Sequence, residues 1–237
     1  MFLDFHSHVL PGIDDGAKDL ATSLAMLGEM QRQGTSLVLA TPHFCLSNGS
    51  IEEFIVRRDE AYGHLMAAVE ATGAVIPKIL RGAEVLLSTE LAEQPDLSRL
   101  CIEGTRCILL EMPYGPWRSW MVNTVYEVQN AGFYPIMAHL ERYFRFSGNE
   151  EWMDDLLSSG LAVQMNAGSI VNRERQRFCL KLIKSGIVDV LGSDAHNMDS
   201  RPPQYKEAVA IIRKKLGDAA YQRIEQNGQE LLELKLR

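Results

Sequence analysis

The chain has 237 residues, 46% hydrophobic and 23% charged, which excludes a disordered or collagen-like polypeptide and suits one large domain spanning 1–237. Its 24 Lys and Arg against 31 Asp and Glu leave a net charge of −7, an argument against coating nucleic acid or riding on a membrane surface. Asp4, His6, His8 and Asp14 interrupt any early apolar core, so no secretory leader is expected. The longest stretch free of charged side chains, 33–51, carries Pro42, His43, Asn48 and Gly49 and is no membrane span.

In chain order, short apolar runs alternate with amphipathic segments. Strands are expected at 2–5, 37–41, 79–84, 107–112, 134–138, 161–166 and 188–192, each mostly continuous in Val, Ile and Leu, as strands buried on both faces of a parallel sheet are. The first helix, 19–32, sets Leu20, Leu24, Leu27 and Met30 on one stripe. The second, 51–72, opens with Ser50 and Glu53 at capping-box spacing and stops at Gly73. Helices at 117–131, 150–158, 173–185, 203–216 and 218–234 follow, with Asn227-Gly228 a weak point in the last. Seven βα units without a linker point to a closed or nearly closed parallel barrel, with a doubly wound open sheet as the alternative.

Cys45, Cys101, Cys107 and Cys179 form no CxxC pair and read as reduced, buried thiols. A cysteine phosphatase needs an arginine six positions after its nucleophile. Those positions hold Ile51, Cys107, Pro113 and Ser185, so that mechanism is excluded.

The strand ends carry the chemistry. Just past successive strands come His6 and His8, His43, Glu84, Glu111, His139, Asn166, then Asp194 and His196, with Asp14 and Asp15 in the loop after His8. Parallel α/β folds build their sites on that edge. Singly, each residue reads as a hydrogen-bonded loop residue, while His64, inside the second helix, reads as a partly exposed helix residue. Together they crowd imidazoles and carboxylates onto one rim, which divalent cations make tolerable. A donor set without thiolate favours Mn²⁺, Fe²⁺ or Zn²⁺, and phosphoester hydrolysis is the default chemistry of such a cluster.

His6-Ser-His8, Asp14-Asp15-Gly16, Thr41-Pro42-His43, Gly82-Ala83-Glu84, Glu111-Met112-Pro113, His139-Leu140-Glu141-Arg142-Tyr143, Asn166-Ala167-Gly168-Ser169 and Ser193-Asp194-Ala195-His196 occur in that order. This series resembles the PHP (polymerase and histidinol phosphatase) superfamily, and within it the bacterial protein-tyrosine phosphatases of capsule and exopolysaccharide loci. The resemblance implies an α/β fold, a distorted (β/α)₇ barrel with its metal site at the C-terminal ends of the strands. It implies three Mn²⁺ ions per chain, with Fe²⁺ or Zn²⁺ as alternatives: His6, His8, Glu84 and Asp194 around the first, Glu84, Glu111 and His139 around the second, Asp15, His43 and His196 around the third. Arg142 and Arg201 resemble phosphate-binding positions, and His43 is a second candidate, beside the metals, for steadying the leaving phenolate.

The implied activity is direct hydrolysis of phosphotyrosine by a metal-bridged hydroxide, with no phosphoenzyme. Its substrate would be a phosphotyrosine protein such as a tyrosine kinase of polysaccharide assembly. A cytoplasmic protein is expected, with no nucleic-acid partner, no membrane span and a homo-oligomer left open. Two alternatives stand beside this reading: a phosphatase of small esters of the histidinol-phosphate type, and a non-catalytic metal-stabilised scaffold.

Overall fold

The apolar runs pair side by side and all in parallel in the computed structural model, which describes residues 2–235. The strands are β1 (Phe2–Ser7), β2 (Thr35–Ala40), β3 (His43–Phe44), β4 (Lys78–Arg81), β5 (Glu84–Leu86), β6 (Cys107–Glu111), β7 (Tyr134–Met137), β8 (Ala162–Asn166) and β9 (Val190–Gly192). They lie in the orders β1-β2-β4 and β3-β5-β6-β7-β8-β9.

Nine strands make seven staves, because two staves are interrupted; the expected strand 37–41 stops at the first break, so that β3 was not expected, and the expected strand 79–84 runs across the second. Thr41-Pro42 separates β2 from β3 and Gly82-Ala83 separates β4 from β5. Proline has no N–H to offer the ladder. Pairing nevertheless crosses both breaks, with Gly82 N donating to Ala40 O at 2.9 Å and Glu84 N to Pro42 O at 3.0 Å. Beyond the break His43 and Glu84 stand opposite each other in register. The last stave meets the first through Asp194 N on His6 O (2.7 Å) and His8 N on Ala195 O (3.0 Å), so the sheet curls round to a seam.

Helices α1 (Leu20–Gln33), α2 (Ile51–Thr72), α3 (Ser119–Asn130), α4 (Asn149–Ser158), α5 (Ala167–Val171), α6 (Arg173–Ser185), α7 (Tyr205–Leu216) and α8 (Asp218–Glu233) connect and surround the staves. Local signals set their ends. Asp19 accepts from Thr22 N and so caps α1 rather than joining it, while Ser50 and Glu53 form the expected capping box of α2. The five-residue α5 was not expected, since Ala-Gly-Ser-Ile-Val carries no helical period.

The last helix runs unbroken through Asn227-Gly228, where a weak point was expected. Close packing explains the glycine: a Cβ there would lie 2.9 Å from Phe5 Cε2 and 3.3 Å from Leu3 Cδ1. Leu231, one turn on, packs with Phe5, Leu39, Leu109, Ile136 and Val190 from five different staves. Helix α8 therefore closes the N-terminal end of the barrel interior and leaves the opposite rim open for chemistry.

Candidate active site

The nine expected donors converge on that rim, with Glu84 at their centre. Glu84 Oε2 lies 3.1 Å from His6 Nε2, 3.3 Å from His8 Nε2 and 3.0 Å from His43 Nδ1, and Oε1 lies 2.8 Å from His139 Nε2. His6 and His8 also face Asp194 Oδ1 at 3.6 and 3.4 Å, and His139 faces Glu111 Oε1 at 3.6 Å. Asp15 Oδ1 sits 3.4 Å from His43 Nε2 and 3.3 Å from His196 Nε2. Their ligand atoms fall into four tight groups: His8, Asp15, His43 and His196; His6, His8 and Asp194; His6, Glu84 and His139; His43, Glu84 and Glu111.

The donors fit divalent cations on three counts. Buried Glu84 Oε2 and His196 Nε2 have no hydrogen-bond partner among the described residues, a costly arrangement unless something else satisfies them. The spacings are those of ligands around a common centre, since bonds of about 2.1 Å place neighbouring ligands about 3.0–3.4 Å apart. Four of the five imidazoles also have their other ring nitrogen engaged. His8 Nδ1 donates to Asp14 Oδ2 (2.7 Å), His6 Nδ1 to Gln164 Oε1 (3.1 Å) and His196 Nδ1 to the Asp194 carbonyl (3.0 Å), while the Tyr143 hydroxyl lies 3.3 Å from His139 Nδ1. Such contacts orient ligating imidazoles in metal sites.

Without cations, charge on the rim is balanced by protons. Burial alone would raise the Glu84 carboxyl, but the charge of His6, the hydrogen bond from His139 and the close imidazoles of His43 and His6 hold it well below the carboxylate range. Asp194 behaves likewise under the influence of His6, His8 and Arg142. Burial works against a charged His8, yet its hydrogen bond to Asp14 and the nearby Asp194 and Glu84 carboxylates raise it well above the ordinary imidazole value. His139 and His196, where burial dominates, are pushed down to about 4.

Two donors stand on strained backbone: His139 (φ 34°) and Asp194 (φ 51°) both occupy the left-handed region, which costs side-chain-bearing residues of order 1–3 kcal/mol. Strand β9 reaches the rim only because Gly192 lacks a side chain; a Cβ there would fall 2.4 Å from His6 Cβ.

Asp194 joins this cluster to the two arginines. Its Oδ1 faces the histidines, while Oδ2 accepts from Arg142 Nη2, from Arg201 Nη2 (2.7 Å) and from Asn166 Nδ2 (2.7 Å). A cavity of about 380 Å³ opens beside them, lined by Arg142, Arg201, Asn166, Ser193 and Arg175. Each guanidinium keeps further N–H donors free for an anion there.

Sequence reasoning gave no role to several residues that shape this site. Asp14, set aside in favour of Asp15, supports it by accepting from His8 Nδ1, Gly16 N and His43 N. Gln164 Oε1 accepts from His6 Nδ1 and His139 N, while its Nε2 donates to Asn166. Asp4 Oδ1 accepts from His6 N and Ser193 N. A buried amide in the run Ala-Val-Gln-Met-Asn was the available signal, because a polar group there must find partners. His64 lies exposed on α2, as expected.

Fold and site together define the class: a parallel α/β barrel whose rim gathers imidazoles and carboxylates able to hold divalent cations, with an arginine-lined cavity at its edge. The chain belongs to the CpsB/CapC family of capsular polysaccharide synthesis, whose model matches residues 2–233. It is 30% identical over 241 residues to the tyrosine-protein phosphatase YwqE of Bacillus subtilis, covering 97% of this chain and 91% of that protein. It is 31% identical over 229 residues to the tyrosine-protein phosphatase CpsB of Streptococcus pneumoniae, covering 91% of each. A structure from a crystallographic study of YwqE and CpsB as metal-dependent tyrosine phosphatases superposes with a TM-score of 0.86 at 27% identity, over 99% of this chain and 96% of that one. The phosphotriesterase homology protein of Escherichia coli shares the fold at a TM-score of 0.59 and 11% identity, over 98% of each chain.

Proposed function

We propose that this chain is a metal-dependent protein-tyrosine phosphatase, acting as one domain and carrying three Mn²⁺ ions on the ligand sets given above. The observation that carries the reading is the convergence of nine imidazole and carboxylate side chains, Glu84 among them, one carboxylate away from two arginines. YwqE and CpsB, its relatives over most of its length, are tyrosine-protein phosphatases.

Bound divalent cations supply a water of lowered pKa and charge to stabilise the phosphoryl group in transit. The chain's own groups do the rest. Arg142 and Arg201 hold the phosphoryl oxygens in the cavity, their planar forks suited to that geometry. Asp194 positions both guanidinium groups relative to the histidines. His43, exposed on the rim, is the side chain we assign to steady the departing phenolate. Phenolate has a parent pKa of about 10, so it leaves with less proton assistance than an alkoxide.

The substrate is a phosphotyrosine protein of polysaccharide assembly, such as its tyrosine kinase, in the cytoplasm. None of the described helices is long and apolar enough to cross a membrane. The test is phosphate release from a phosphotyrosine peptide and from histidinol phosphate, by metal-stripped protein titrated with Mn²⁺. Peptide turnover should appear with metal and vanish in His6→Ala and His139→Ala; faster turnover of histidinol phosphate than of peptide would overturn the reading.

A further inference from the structure

We infer that the groove leading out of the anion cavity past Arg142 receives the polypeptide flanking the phosphotyrosine and selects a segment bearing carboxylates, through Arg145 and Arg175. This rests on the phosphotyrosine reading above and adds the chemistry of the substrate's neighbouring residues.

The groove has a volume of about 550 Å³ and shares Arg142 and Arg175 with the anion cavity, so the two adjoin across these side chains. Its apolar wall is aromatic. Phe144 and Phe178 meet edge to face with centroids 5.0 Å apart, and Tyr114, braced against Phe146 at 4.8 Å, is 65% exposed. Amphipathic rings presented this way suit a peptide backbone and the aliphatic parts of its side chains.

Charge supplies the selectivity. Arg32, Arg58, Arg81, Arg99 and Arg213 each pair with a carboxylate. Arg145 bonds instead to the Tyr114 hydroxyl at 2.8 Å, and among the described residues neither Arg145 nor Arg175 has a carboxylate partner. Both are exposed. Glu141, the only acidic residue lining the groove, is buried and turned toward Ser169, whose hydroxyl donates to it at 2.8 Å. On a chain of net charge −7, two uncompensated guanidinium groups at the mouth of a phosphate cavity form a local positive field. Acidic side chains beside the phosphotyrosine complement that field; basic ones oppose it.

The experiment compares kcat/KM of the Mn²⁺-loaded enzyme on three phosphotyrosine peptides, flanked by Glu, Ala or Lys, and on p-nitrophenyl phosphate, which cannot reach the groove. The native enzyme should prefer the Glu-flanked peptide. Arg145→Glu, which lies in the groove but not in the anion cavity, should lower its kcat/KM about fivefold, mostly through KM, and raise that of the Lys-flanked peptide. Turnover of p-nitrophenyl phosphate should stay within about twofold. Equal rates on all three peptides in the native enzyme, or an equal loss on p-nitrophenyl phosphate in the variant, would overturn the groove assignment while leaving the phosphatase reading intact. Hydrolysis of p-nitrophenyl phosphate but of no phosphotyrosine peptide would overturn both.

Discussion

Replacing Gln164 with leucine should loosen the metal centre without touching a metal donor. The side chain is fully buried and makes three hydrogen bonds: Oε1 accepts from His6 Nδ1 (3.1 Å) and His139 N (2.8 Å), and Nε2 donates to Asn166 Oδ1 (2.9 Å). Leucine fills similar space but strands three buried polar groups. At about 1–3 kcal/mol each, that loss is roughly 3–9 kcal/mol. Leucine's own transfer gain of about 2 kcal/mol offsets part of it, leaving an expected net loss of about 1–7 kcal/mol. Urea unfolding of the metal-free protein measures that loss. Calorimetric titration with Mn²⁺ reads the second effect, a 10–100-fold fall in affinity, the size seen when ligand-orienting contacts are removed. Gln164→Glu keeps the acceptor for both histidines and should recover more of the affinity than leucine does. A leucine variant with native Mn²⁺ affinity and less than about 1 kcal/mol of lost stability would refute the idea that Gln164 sets the two imidazoles.

Arg142→Ala should lower kcat/KM on a phosphotyrosine peptide about 100-fold, with Arg142→Lys recovering only part; a loss under about threefold would remove Arg142 from the phosphate cavity. Burial pushes Cys101 and Cys179 up to about 12 and Cys107 to about 11, so at pH 8 a thiol reagent should modify the half-exposed Cys45 alone in the folded protein. Rapid labelling of the other three without unfolding would contradict that burial. Gly228→Ala should destabilise by about 1–3 kcal/mol in urea unfolding despite alanine's better helix propensity, because the new methyl group meets Phe5; a stabilised variant would show that α8 shifts freely.

Much of this architecture was legible because its signals are local. A parallel strand covered on both faces reads as a continuous apolar run, and Ser50 with Glu53 spells the start of α2 in four residues. The site was legible for a related reason. An imidazole or carboxylate closing an apolar run is costly to bury unless a cation or a hydrogen-bonding partner meets it, and eight motifs in order made the ligand sets readable by resemblance. What escaped was non-local. The breaks at Thr41-Pro42 and Gly82-Ala83 matter because of how adjacent staves pair across them. Gln164 acquires its role only when His6 of β1 and His139 just past the end of β7 are both brought to β8. Nothing in the sequence singles out Arg145 and Arg175, since their lack of carboxylate partners is a property of the folded surface.

The seam between first and last staves also sets when the site can exist. Ser193 N reaches Asp4 Oδ1 across 189 positions of the chain, and the neighbouring bonds of Asp194 N to His6 O and His8 N to Ala195 O span a similar distance. Contacts of such separation form late, because most of the intervening chain must already be ordered before they are rewarded. During synthesis, His6 and His8 emerge first and wait for Asp194 and His196 until nearly the whole barrel has been made. A partly synthesised or truncated chain therefore lacks the centre altogether, and competence arrives with barrel closure rather than growing by degrees.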